Sequence, residues 1–172
     1  MIKIRSEMFV DGLVIHDVIE AAFKRAPHSS HTEHWIIRAL KRADALAISL
    51  VAEIGHRIVG HVAISAVSIT DGSDGWFGLG PVSVLPDYQR QGVGSELVER
   101  VLLVLESRGA SGCVVLGDPG YYARFGFNVV PNLVFPGAPA EYFQALSYTD
   151  EMPQGEVAYH EAFNTKGCWT PS

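Results

Sequence analysis

The sequence predicts a single α/β (α+β) domain, a mixed and mostly antiparallel sheet flanked by helices. Three observations carry that expectation. Helix-spaced apolar faces lie on both sides of a β-rich stretch. Two long β-branched runs meet at a two-residue turn. A glycine loop stands between an interrupted strand and a strongly amphipathic helix. With 172 residues, 48% of them hydrophobic, the chain can bury a core of its own. No internal repeat or linker divides it.

Residues 2–5 alternate as a short strand does. Asp11 stands where it can cap a helix whose apolar face is Ile15, Val18, Ile19, Ala22 and Phe23. Pro27 ends that pattern. Ser30-His31-Thr32-Glu33 has the form of a capping box, which opens a second helix with Trp35, Ile36, Ala39 and Leu40 on its apolar side. Residues 47–54 and 57–69 are β-branched runs joined by Gly55-His56, the pattern of a hairpin. Residues 71–75 form a turn cluster. Residues 76–84 read as the next strand, interrupted by Gly78, Gly80 and Pro81, which mark a bulge, an edge or the close approach of another backbone.

Beyond the glycine loop, Val93, Leu97, Val101 and Leu105, joined by Val98 and Leu102, give one helix face, and Gly109 is placed to end it. Residues 113–116 read as a short buried strand, and Gly117-Asp118-Pro119-Gly120 as a turn. From Asn128 the chain is rich in Pro and Gly, with strands expected near 142–148 and 155–160.

A formal net charge of -6 argues against nucleic acid as a partner, because phosphate binding needs clustered Lys and Arg. An acidic body weakly favours cationic substrates such as amines. Cys113 sits in an apolar run and Cys168 in a polar tail, so no disulfide framework is expected, as suits a reducing cytosol. The N-terminus lacks the layout of a signal peptide, and no apolar run is long enough to span a bilayer. A cytoplasmic protein without a membrane partner is the expectation.

The chemistry points to Gln89-Arg90-Gln91-Gly92-Val93-Gly94. At a helix start the backbone N–H groups lack intrahelical partners and the helix dipole is positive, so an anion is held there. Gly92 and Gly94 let a phosphate approach the backbone, and Gln89, Arg90 and Gln91 add side-chain donors. A Walker loop is excluded, since Gly94 is followed by Ser95-Glu96. A dinucleotide loop is excluded because position 97 is Leu. His28, His31 and His34 recur every three residues across a helix start and need not share a face, so no metal is assigned. His61 and His160 carry no signal of their own.

Gln89-x-x-Gly92-x-Gly94 resembles the Gln/Arg-x-x-Gly-x-Gly/Ala signature of the GCN5-related N-acetyltransferases (GNAT family). Residues 78–84, Gly-Leu-Gly-Pro-Val-Ser-Val, resemble that family's bulged fourth strand. Tyr122-Ala123-Arg124-Phe125-Gly126-Phe127 resembles its Tyr-x-x-x-Gly-Phe element. The strings Gly-Leu-Gly-Pro, Gly-Asp-Pro-x-Tyr-Tyr and Arg-Phe-Gly-Phe are similar to those of the YhbS-like subgroup of predicted acetyltransferases. The resemblance covers a core of about residues 2–148, with 149–172 as a C-terminal extension.

The resemblance implies a sheet splayed between its fourth and fifth strands, with acetyl-CoA as cosubstrate and a primary amine of a small molecule or protein as acceptor. Pantetheine would lie along Val82, Ser83 and Val84, and pyrophosphate on the amides of Gln91 to Ser95, Val93 included. The Val84 or Val82 N–H would meet the oxyanion. Tyr122 would protonate the leaving thiolate, with Tyr121 as the alternative. The family's carboxylate on the fourth strand is absent from residues 77–84, which leaves Glu53, Asp74, Asp118 or a water chain for the base. The same gap motivates a rival expectation, a non-catalytic acyl-CoA-binding sensor or interaction module on the same fold. The acceptor is expected near residues 28–35 and the tail after Pro131. Many relatives dimerise, which makes a homodimer the assembly to test.

Overall fold

The structure, a computed structural model, describes residues 1–26 and 31–164. In chain order the elements are β1 (Lys3–Ser6), α1 (Gly12–Phe23), α2 (Glu33–Arg42), β2 (Leu46–Ile54), β3 (Arg57–Ala66), β4 (Ser68–Ile69), β5 (Trp76–Val84), α3 (Val93–Ser107), β6 (Gly112–Leu116), α4 (Pro119–Tyr122), β7 (Leu133–Val134), β8 (Phe143–Ser147) and β9 (Gly155–Ala158). Six strands form the main sheet in the order β1-β2-β3-β5-β6-β8, and β4-β9-β7 form a small second one. Neighbours in the main sheet are antiparallel except β5 and β6, which run parallel.

The strand alternation of β2 and β3 gives the sheet two apolar faces, each covered by helix. Ile15, Val18 and Ile19 of α1 and Ile36, Ile37 and Leu40 of α2 pack on Val51 and Ala63. Leu97, Val98, Val101 and Leu105 of α3 pack on Leu50, Val62, Leu79 and Val115 of the other face. These side chains are nearly inaccessible to water, and each Ile, Leu or Val among them contributes on the order of 1.5–3 kcal/mol by burial. Among the described residues, no helix is long and apolar enough to cross a membrane.

Several expectations meet local corrections. The run 57–69 is not one strand: β3 ends at Ala66, and β4 leaves to pair with β9. Leu133–Val134 is a strand that the Pro- and Gly-rich stretch concealed. Asp11 occupies the N-cap position of α1 but makes no side-chain cap to it. Its carboxylate instead accepts from Met8 N–H at 2.7 Å and from the Arg5 guanidinium at 2.7 and 3.1 Å. Helix α2 starts at Glu33 with Thr32 as N-cap. Pro27, His28 and Ser30, together with Cys168, lie outside the described residues. Trp35 is not on the apolar side of α2: it is 41% exposed, and Ile37 takes its place in the core.

Arg5 ties β1 to β2 and to the start of α1, because it also holds Glu53 at 2.7 Å. That guanidinium, helped by the Met8 N–H and opposed by burial, holds the Asp11 carboxyl below its ordinary value. A depressed carboxyl stabilises the fold above the carboxylate range and stops doing so as pH falls through it. Arg5→Ala leaves Asp11 charged and without its cation, at a cost of about 1–3 kcal/mol. Urea unfolding at neutral pH should show that loss, and the gap between the two proteins should narrow below about pH 4 as Asp11 is protonated.

Candidate active site

Strands β5 and β6 run together only from Trp76 to Leu79, opposite Gly112 to Val115. Beyond Leu79 they diverge. Gly80 lies at φ 136, and the Gly80–Pro81 peptide is cis. Gly80 and Pro81 together face the single residue Ala63, since Val62 pairs with Val82 and Ile64 with Leu79. This is the two-against-one count of a bulge, and it turns the strand away from β6. Residues 82–84 then keep β3 on one side and a cleft on the other.

Which groups face that cleft follows from alternation. Leu85 N–H donates to Val59 of β3 at 2.8 Å. The carbonyl of Val84 points the other way and accepts from Gln89 Nε2 at 3.0 Å. The amides of Val84 and, two residues back, Val82 therefore open on the cleft, while Ser83 pairs with His61 of β3. The Ser83 hydroxyl is buried and does not line the cleft. Its place in the expected set is as spacer between two exposed amides.

The cleft has a volume of about 890 Å³ and runs between the end of α1, residues 82–84, the first turn of α3 and α4. Of the expected residues it is lined by Val82, Val84, Gln89, Arg90, Gly92, Gly94, Ser95, Tyr121 and Tyr122. Gln91 and Val93 stand behind it. The Gln91 side chain donates to Asp87 C=O at 3.0 Å, and Val93 is buried in the core. The first backbone bond of α3 runs from Glu96 N–H to Gly92 C=O at 3.0 Å, so the preceding amides lack helical acceptors. Gly92 caps the helix at φ 88, a backbone for which glycine is suited. A Cβ on Gly94 would stand 3.4 Å from Tyr121 Oη and 3.7 Å from Val84 Cγ2, so the missing side chain is what keeps this end of the cleft open.

The two tyrosines differ. Tyr121 is half-buried, and its hydroxyl pairs with Ser95 Oγ at 3.2 Å, with Arg124 over its ring. Tyr122 is 2% exposed, packed edge-on against Tyr121 and Phe127, and lines the cleft. Its hydroxyl makes no hydrogen bond with the described residues. Burial, reinforced by Tyr121, Cys113 and Asp118, pushes the Tyr122 phenol above its ordinary value, so it stays protonated.

Of the three candidate carboxylates, only Asp118 reaches the cleft. It caps α4 by accepting Gly120 N–H at 2.9 Å. Glu53 is held by Arg5 at the far strands, and Asp74 lies in the exposed turn before β5. Arg25 and Arg124 also line the cleft, and with Arg90 they set three guanidinium groups around it in a chain of net charge -6. Such a local field suits a polyanion. Arg25 carried no motif; its only signal was a basic pair, Lys24-Arg25, at the end of an amphipathic helix.

A family model described as an acetyltransferase (GNAT) domain matches residues 45–129. YhbS of Escherichia coli K12, described as an uncharacterized N-acetyltransferase, is 31% identical over 169 residues, covering 94% of this chain and 98% of the relative. The chain belongs to the GNAT acetyltransferase family. A solved structure of a GNAT family acetyltransferase from Brucella melitensis in complex with acetyl-CoA is 46% identical. It has a TM-score of 0.85 and covers 95% of this chain and 98% of that one. The E. coli YhbS structure in complex with CoA is 32% identical, with a TM-score of 0.84, covering 95% and 92%. The family's splayed fourth and fifth strands correspond here to β5 and β6, because the short β4 intervenes.

Proposed function

We propose that the cleft binds acetyl-CoA and that a primary amine attacks its thioester directly, with Tyr122 as general acid. The observation that carries this is the divergence of β5 from β6, which leaves Val82 and Val84 lining the same cleft as Tyr122 and the N-terminus of α3. Pyrophosphate is held on the amides of Gln91 to Ser95, with Arg90 alongside. The amine nitrogen bonds to the carbonyl carbon, and the oxyanion so formed accepts from the Val84 N–H. The C–S bond then breaks, and the thiolate takes the phenolic proton of Tyr122. The nitrogen's proton then passes by way of Asp118 or water to the phenolate, which restores the phenol. The cytosol is the compartment for this reaction, in keeping with the buried free thiol of Cys113.

Release of free thiol from acetyl-CoA, followed over a panel of primary amines, tests the reaction. With an accepted amine, kcat/KM should rise about tenfold per pH unit below the amine's own pKa, as the attacking free base forms. Because burial raises the phenol, no fall due to Tyr122 is expected up to about pH 10. A fall at lower pH that disappears in Tyr122→Phe would show the tyrosine ionising during use. CoA binding without turnover on any amine would favour the sensor.

A further inference from the structure

We infer that His16, Glu20 and His34 form a binding site for one divalent transition-metal ion, of which Zn²⁺ is the probe, joining α1 to α2. His16 and Glu20 are four residues apart on α1 and so share a face. His34, the second residue of α2, comes to that face as the two helices pack. His16 Nε2 lies 3.6 Å and His34 Nε2 4.0 Å from the same oxygen, Glu20 Oε2. Both separations are too long for hydrogen bonds. One donor atom from each of the three residues lies within 4.8 Å of the others. Two imidazole nitrogens and a carboxylate oxygen, converging with a gap between them, are the donor set of a three-ligand zinc site with an open position for water. The rings stack edge to face at 4.6 Å between centroids, an arrangement that a shared ion would hold.

The surroundings support an ion. His34 is buried, with the His16 ring edge-on against it. A hollow of about 400 Å³, lined by Glu20, Phe23, Lys24, His31, Glu33 and His34, gives access from solvent. Phe23 also lines the acyl cleft, so the ion would brace the end of α1 that walls that cleft. Its role is in the fold and not in acetyl transfer, which uses none of these three residues. The spacing of His28, His31 and His34 gave no reason to assign a metal; the packing of α1 on α2 brings His16 and Glu20 of another helix to His34.

Untagged, chelator-treated protein titrated with Zn²⁺ by calorimetry should bind one equivalent with a Kd on the order of micromolar or tighter. Co²⁺ in its place should give the ligand-field absorption of a low-coordinate site. His16→Ala and Glu20→Gln, both at partly exposed positions, should keep their far-UV circular dichroism and weaken Zn²⁺ binding at least about tenfold each. Zn²⁺ should raise the melting temperature of the native chain and not that of His16→Ala. Absence of stoichiometric binding would overturn the site, as would binding that neither substitution weakens.

Discussion

Tyr122→Phe should lower turnover by at least about 100-fold, the usual range for loss of a general acid, while leaving acetyl-CoA affinity within about twofold, well under 1 kcal/mol. The ring is what packs: its contacts to Tyr121 and Phe127 survive in phenylalanine. The hydroxyl bonds to none of the described residues, so its removal strands no buried partner. What would be lost is the proposed proton donor, which burial keeps protonated and neutral. Tyr121→Phe should do much less to turnover, because that hydroxyl is engaged with Ser95 at the helix start and would be missed mainly in binding. Steady-state thiol release together with calorimetry on acetyl-CoA separates the two. If Tyr121→Phe abolished turnover and Tyr122→Phe did not, the two roles would be exchanged.

Gly94→Val should weaken CoA binding on the order of 100-fold, about 2.7 kcal/mol, with little change in the fold. The Cβ alone fits at ordinary contact distance from Tyr121 Oη and Val84 Cγ2. The two further methyl groups would fill the space between them, which the proposed cofactor path crosses on its way from the α3 amides to the Val84 N–H. Position 94 lies in the first turn of α3, where valine is no worse a helix former than the glycine it replaces. Calorimetry with CoA, beside thermal unfolding of the free protein, distinguishes a blocked cleft from a damaged helix. Unchanged CoA affinity would remove this end of the cleft from the binding path.

Much of this was legible in the chain, and the legible parts share a physical basis. The helix from Val93, its stop at Gly109 and the hairpin at Gly55-His56 are set by local periodicity and by backbone angles that few residues adopt. The bulge was written in Gly80-Pro81. Features that depend on packing between distant segments were not legible. Asp11 looks like a helix cap until Arg5 from the neighbouring strand is seen to claim its carboxylate. Glu53, Asp74 and Asp118 are equal as sequence candidates; the sheet order puts Glu53 at the far strands, while Asp118 reaches the cleft as the cap of the short helix that carries both tyrosines. Ser83 sits in the right motif, yet strand alternation turns its side chain away. The β3 run splits at Val67, whose N–H pairs with Trp76 C=O before the chain leaves for β9, and no local signal marks that departure.

The central claim is that the thioester sits between the Val84 amide and the Tyr122 hydroxyl, and a crystal structure with bound acetyl-CoA tests it most directly. The account predicts pyrophosphate on the first-turn amides of α3, the thioester oxygen within hydrogen-bond distance of the Val84 N–H, about 3 Å, and the sulfur facing Tyr122 Oη. A sulfur facing Tyr121 instead, or a thioester oxygen out of reach of both the Val82 and Val84 amides, would contradict it.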